Sequence, residues 1–164
     1  MRLFLIGMPG SGKSTIARHL AKALNYQCID LDANIETSAL MFTEEIFERH
    51  GETTFRKLET EALTNISDLD DVVVACGGGI VIDKANKDLM HGLTFYLDTD
   101  LDVIKERLEH DYQRPLLLKK TLEQLFDERY LKYQDFADVI INNNFDIDET
   151  VGVMLNYMRN EEYK

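Results

Sequence analysis

The run Gly7-Met8-Pro9-Gly10-Ser11-Gly12-Lys13-Ser14 leaves few folds open to this chain. It has the spacing G-x-x-x-x-G-K-[ST], follows the apolar stretch Leu3–Ile6 directly, and opens a helical pattern that carries Ile16, Ala17, Leu20 and Leu24. A strand that ends in a glycine-rich turn and passes straight into a helix aims backbone N–H groups, and the positive end of the helix dipole, at one point. Such a cradle holds a phosphate. Gly10, Ser11, Gly12, Lys13, Ser14 and Thr15 are therefore the candidate nucleotide ligands, with Lys13 reaching the β- and γ-phosphates of ATP and the Ser14 hydroxyl ligating Mg²⁺.

The rest of the chain alternates short β-branched or apolar runs with longer helical segments, the pattern of an α/β fold with a parallel sheet buried on both faces. Strands are expected at Leu3–Ile6, Gln27–Leu31, Val72–Ala75, Thr94–Leu97 and Val139–Ile141, with helices at Lys13–Leu24, Thr54–Ile66 and Leu101–Glu109. Thr121-x-x-Gln124 and Asp146-x-x-Glu149 are capping-box patterns that open two further helices, running to about Phe136 and Tyr157. Residues 1–164 read as a single domain with two interruptions, Asp32–Gly51 and Glu109–Lys120; the acceptor-binding region is expected at about 32–60 and a lid at about 109–120. The Arg114-Pro115 pair suits a loop that orders on binding, because proline disfavours helix at the residue before it.

Composition narrows the function classes. The longest apolar stretch, Val72–Ile82, is 11 residues and contains three glycines, short of the roughly 20 that a spanning helix needs. Leu3–Ile6 is too short for the apolar region of a signal peptide, so the chain is expected to begin with the fold itself. Cys28 and Cys76 each adjoin strand-like residues and read as small buried apolar groups, which fits a reducing cytoplasm. The four histidines, His19, His50, His91 and His110, lack metal-ligand spacing, and no zinc site is expected. A net charge of −12 opposes general binding to nucleic acid or anionic lipid, so any anionic small molecule must meet locally placed cations. Asn86-Lys87-Asp88 lacks the intervening residue of the guanine signature Asn-Lys-x-Asp, and the length leaves little room for mechanical or DNA-handling subdomains.

Asp30 and Asp32 lie at the end of the second strand, where open α/β sheets bind their ligands. One carboxylate suits the Mg²⁺ shell and the other an attacking hydroxyl; capping of the next helix is the competing use of either. Val72–Cys76 followed by Gly77-Gly78-Gly79 brings bare backbone to the same face.

The chain resembles the shikimate kinases over nearly its whole length. The matching stretches are Gly7–Ser14, Asp30-Leu31-Asp32, Ile46-Phe47-Glu48, Gly51-Glu52-Thr53-Thr54-Phe55-Arg56-Lys57-Leu58-Glu59, Gly77-Gly78-Gly79, Arg114-Pro115-Leu116-Leu117 and Glu128-Arg129, in that order. The resemblance implies a three-layer P-loop kinase fold of the nucleoside-monophosphate-kinase type, with a five-stranded parallel sheet of order 2-3-1-4-5 flanked by helices and a mobile lid. It also implies ATP-dependent phosphorylation of the 3-hydroxyl of shikimate, a step of aromatic amino-acid biosynthesis.

By the same resemblance, Ser14 and Asp30 support Mg²⁺, and Asp32 binds the reacting hydroxyl and acts as base. Arg56, Arg129 and the Gly78 N–H hold the shikimate carboxylate, while Glu59 orients Arg56. Arg114 stabilises the transferring phosphoryl, and Arg107, seven residues earlier, contacts the adenine. Lys13, Asp32 and Arg114 are thus the expected catalytic residues. A monomeric cytoplasmic enzyme with small-molecule partners alone is expected. A gluconate or nucleoside kinase of the same fold, and an inactive nucleotide-binding regulator, remain as alternatives. The sequence departs from the family in two places. Leu131 stands where a proline is usual, so a straighter helix with Arg129 shifted is expected. Thr37–Thr43 lacks a common glycine and is unusually apolar, so an altered substrate lip is expected.

Overall fold

Strands β1 (Arg2–Ile6) and β3 (Val72–Ala75) are buried almost throughout, as continuous apolar runs in the middle of a sheet must be. The computed structural model describes residues 1–109 and 120–162. With β2 (Gln27–Asp30), β4 (Leu93–Asp98) and β5 (Val139–Asn142) they form one parallel sheet of order β2-β3-β1-β4-β5. The register pairs Leu3 with both Val73 and Leu93 across the centre.

Alternate residues of each strand face opposite sides, and each side has its own core. Leu3, Leu5, Val73, Ala75, Phe95 and Leu97 pack against Ile16 and Leu20 of α1 (Lys13–Leu24) and Met154 and Met158 of α7 (Ile147–Glu162). Phe4, Ile6, Val72, Val74 and Tyr96 meet the other layer. There they contact Leu63 of α3 (Thr43–Asn65), Ile104 of α5 (Leu101–Glu109), and Tyr133 and Phe136 of α6 (Leu122–Phe136). Two short helices, α2 (Leu31–Ala39) and α4 (Ala85–Leu89), complete the elements. No helix among the described residues is long and apolar enough to cross a membrane.

The neighbours β1 and β3 send their chains to opposite faces, β1 into α1 and β3 towards Ile80, Val81 and Met90. Their C-terminal ends therefore open onto a crevice, the place where such sheets bind ligands.

Several expectations need correction. The second strand stops at Asp30, one residue early, and Leu31 already begins a helix. Residues 32–51, read as an interruption, are mostly helical, and the helix expected at Thr54–Ile66 belongs to a longer element that starts at Thr43 and breaks at Gly51 (φ 83°, ψ 169°). Cys28 is exposed, because β2 is the sheet edge and its first two residues are left uncovered. Cys76 is buried. The lid at about 109–120 falls almost wholly outside the described residues.

Candidate active site

On the nucleotide side, the loop after β1 closes on itself through the Ser11 N–H, which donates to the Met8 carbonyl at 3.2 Å. Gly12 caps α1 in a left-handed conformation (φ 90°) and offers no side chain to the first-turn N–H groups, which leaves them for a ligand. Gly10 is required twice over: its φ is 81°, and a Cβ there would lie 2.8 Å from Leu108 Cγ. Lys13 lies buried under the loop, its Nζ donating to the Gly7 and Met8 carbonyls at 2.7 and 2.8 Å. Thr15 follows in the first turn of the helix and is half-buried.

Ser14 Oγ donates to Asp30 Oδ2 at 2.7 Å, while Asp30 Oδ1 accepts from the Ala33 N–H at 3.2 Å and so caps α2. Capping, one of the two uses weighed for this aspartate, is thus present on one oxygen, and the other oxygen is turned to Ser14. Hard oxygen donors, few in number, at the mouth of a phosphate loop suit Mg²⁺, which keeps most of its waters and takes its remaining ligands from phosphates.

Arg107 reaches the same loop from the end of α5. Its guanidinium donates to the carbonyls of Ser11 (2.8 Å), Asn143 (3.2 Å) and Phe145 (3.3 Å), and burial lowers its pKa. The Ser11 carbonyl also accepts from Asn143 Nδ2 at 2.7 Å. Asn143 is 1% exposed; its amide further donates to Thr99 Oγ1 at 3.0 Å and accepts from Thr150 Oγ1 at 2.9 Å. The Asn142-Asn143-Asn144 turn, which reads as unspecific turn chemistry, therefore contains the polar hub that joins β4, α7 and the phosphate loop.

On the acceptor side, Asp32 lies in the first turn of α2 rather than on a strand, and still faces the crevice. A Cβ built on Gly77 would lie 2.7 Å from Asp32 Oδ1 and 3.0 Å from Glu59 Oε2, so both carboxylates converge on that bare stretch of backbone. Arg56 Nη1 donates to Glu59 Oε1 at 2.6 Å, one helical turn away, and its other face lies 5.8 and 5.5 Å from the Phe47 and Phe55 ring centroids. Glu59 is 1% exposed. Burial raises its carboxyl above the usual range, a shift that the Arg56 guanidinium opposes. The guanidinium of Arg56 lies against Gly79.

Arg129, on α6, is 8% exposed, and its Nε has no hydrogen-bond partner among the described residues. Gly78 packs so closely on Pro9 that a Cβ would come within 2.9 Å of Pro9 Cδ, which brings the acceptor loop into contact with the nucleotide loop. The structure thus gathers Lys13, Ser14, Asp30, Asp32, Arg56, Gly78 and Arg129 around one crevice, with Gly10, Ser11, Gly12, Thr15 and Arg107 on its nucleotide side. Arg114 lies outside the described residues. Sequence reading missed Tyr133, four residues after Arg129 on the same helix, and took Asn143 only as a turn-former after the last strand.

A family model described as shikimate kinase matches residues 9–159, nearly the whole of this arrangement. The chain belongs to the shikimate kinase family. A shikimate kinase of Gloeobacter violaceus is 47% identical over 146 residues, spanning 85% of this chain and 82% of that protein. One from Microcystis aeruginosa is 42% identical over 146 residues, spanning 86% and 76%. The solved structure of a shikimate kinase from Acinetobacter baumannii in complex with shikimate superposes with a TM-score of 0.92 at 30% identity, covering 99% of this chain and 95% of that one. Both departures from the shikimate kinase pattern have a visible structural setting. Helix α6 runs unbroken through Leu131, which is 63% exposed, and Arg129 remains buried. In the glycine-free segment, Leu40 adopts the left-handed conformation (φ 54°, ψ 34°) at the end of α2, and Leu40 and Phe42 both point into solvent.

Proposed function

We propose that this protein transfers the γ-phosphoryl group of ATP to the 3-hydroxyl of shikimate, as a monomeric cytoplasmic enzyme of aromatic amino-acid biosynthesis that uses Mg²⁺. One observation carries the reading: two acids and two arginines suited to a carboxylated polyol face a phosphate loop across a single crevice, and the two halves touch at Gly78 and Pro9.

In this account the N–H groups of Gly10 to Thr15 and the N-terminus of α1 hold the ATP phosphates. The Lys13 ammonium exchanges its loop carbonyls for β- and γ-phosphate oxygens. Ser14 and Asp30 would hold Mg²⁺, which would supply neutralisation of phosphate charge. Arg107 fixes the nucleotide loop and presents its guanidinium to the adenine side. Arg56 and Arg129 clamp the acceptor carboxylate with the Gly78 N–H, because planar guanidinium forks pair bidentately with carboxylates. The Asp32 carboxylate accepts the proton of the 3-hydroxyl as its oxygen bonds to the γ-phosphorus. The bond to the bridging oxygen breaks at the same time, and ADP leaves with that electron pair. Arg114 completes the set by offsetting charge on the transferring phosphoryl.

The test is ADP release with MgATP and shikimate, set against gluconate, a panel of nucleosides and no acceptor. Turnover that depends on shikimate alone is expected. Turnover with another acceptor, or none with any, would reject the reading.

A further inference from the structure

Tyr133 is the largest fully buried side chain of α6, and nothing in the reaction as written uses it. Its hydroxyl donates to the Gly78 carbonyl at 2.5 Å and lies 3.9 Å from Met8 Sδ in the phosphate loop. Its ring stacks on Tyr96 of β4, with centroids 5.1 Å apart and planes at 19°. Burial pushes the phenol pKa up to about 12, so the hydroxyl stays protonated and able to donate.

The loop Gly77-Gly78-Gly79 has no side chain of its own to fix it, and glycine backbone is the most mobile there is. A trans peptide holds its N–H antiparallel to its carbonyl, so an anchored Gly78 carbonyl also fixes the Gly79 N–H on the side turned away from Tyr133. The guanidinium of Arg56 lies directly against Gly79. Arg129, four residues before Tyr133, projects from the same face of the same helix. One rigid element therefore carries an arginine of the acceptor site and the hydroxyl that holds the acceptor loop, and that hydroxyl also meets the nucleotide loop.

We propose that Tyr133 is a positioning residue for the acceptor: its hydroxyl locks the Gly78 peptide so that the loop donors, Arg56 and Arg129 present one fixed cradle in register with the phosphate loop. The proposal rests on the phosphoryl-transfer reading above.

Tyr133→Phe keeps the ring and its stacking and removes only the hydroxyl. Loss of one such hydrogen bond is expected to raise the KM for shikimate by about 3–10-fold, with the KM for ATP within about twofold of the parent by the same arithmetic. The shift in melting temperature produced by shikimate should shrink, while that produced by ADP should persist. A purely structural hydroxyl would lower the melting temperature of the free protein and leave both KM values in place, and that result overturns the proposal. So does an equal rise in both KM values, or a variant that no longer folds. If the parent enzyme shows no shikimate-dependent ADP release, the functional reading itself fails; if the parent is active and the variant matches it, only the role of Tyr133 fails.

Discussion

Asp30 shows how little a residue's type fixes its use. One oxygen caps α2 and the other accepts from Ser14, so a helix signal and a metal-site signal fall on the same side chain. Asp32, two residues on, lies beside Gly77 and Glu59, and in the proposed reaction it is the group that takes the proton of the acceptor hydroxyl. Asp32→Asn preserves shape and is expected to fold normally while lowering kcat by about 10²–10³-fold, the usual cost of removing one group matched to the transition state; a variant with near-normal kcat would remove Asp32 from the chemistry. Lys13→Met should behave alike, with retained secondary structure by circular dichroism. Glu59 makes a pH-dependent prediction. Burial raises its pKa above the ordinary glutamate value despite the opposing Arg56 guanidinium, so the folded state binds this proton more tightly than the unfolded chain. Its contribution to stability is therefore complete below the unfolded value and is lost as the pH rises through the folded one. In urea titrations from about pH 4 to about pH 7, the stability of the parent relative to Glu59→Gln should fall as the pH rises. Activity of Glu59→Gln should fall as well, since a neutral amide holds Arg56 less firmly. Asn143→Ala should raise the KM for ATP and leave that for shikimate unchanged, because it removes one of two donors on the Ser11 carbonyl; equal changes in both would refute a role confined to the nucleotide loop.

At the scale of elements, the junction between the end of α2 and the start of α3 carries the glycine-free segment. Leu40 holds a left-handed conformation that disfavours a side chain, and it is 89% exposed, so its side chain gains little packing in return. Leu40→Gly is expected to stabilise the protein by about 1 kcal/mol, seen as a rise of about 2–4 °C in melting temperature. A fall would mean that the leucine makes contacts worth more than its backbone strain. Helix α6 illustrates the opposite case. It is fixed at its start by the reciprocal capping box of Thr121 and Gln124 (3.1 and 2.9 Å), and it delivers Arg129 and Tyr133 to the crevice from a single face. The capping pattern was legible in the sequence because it depends on residues three apart. The role of Tyr133 was not, because Gly78 lies 55 residues away and only the packing of α6 over β4 brings them together.

Over the whole molecule, two cores lie on opposite faces of one sheet and share β1, β3 and β4 as their common wall. Neither can lose its packing without exposing strands that the other needs. Urea unfolding should accordingly be one transition, with far-ultraviolet circular dichroism and tyrosine signals coincident. Separate midpoints for the two probes would show that the layers melt independently. The same sharing explains the position of the site: β1 and β3 are neighbours whose chains leave to opposite faces, so the phosphate loop and the glycine loop open side by side.

Local patterns decided much of this in advance. The loop Gly7–Ser14 and the alternation of strands with helices are set by spacing along the chain, and spacing is a property of sequence, whereas the arginines of the acceptor side were named only through the family resemblance. Tertiary structure alone decided that Leu31 turns into a helix instead of extending β2, that the edge position of β2 leaves Cys28 in solvent, and that Asn143 and Tyr133 reach the two loops. The reason is physical. Each of those outcomes depends on which distant surface arrives to bury or to bond a group, and a single chain written in order does not record where its strands will lie.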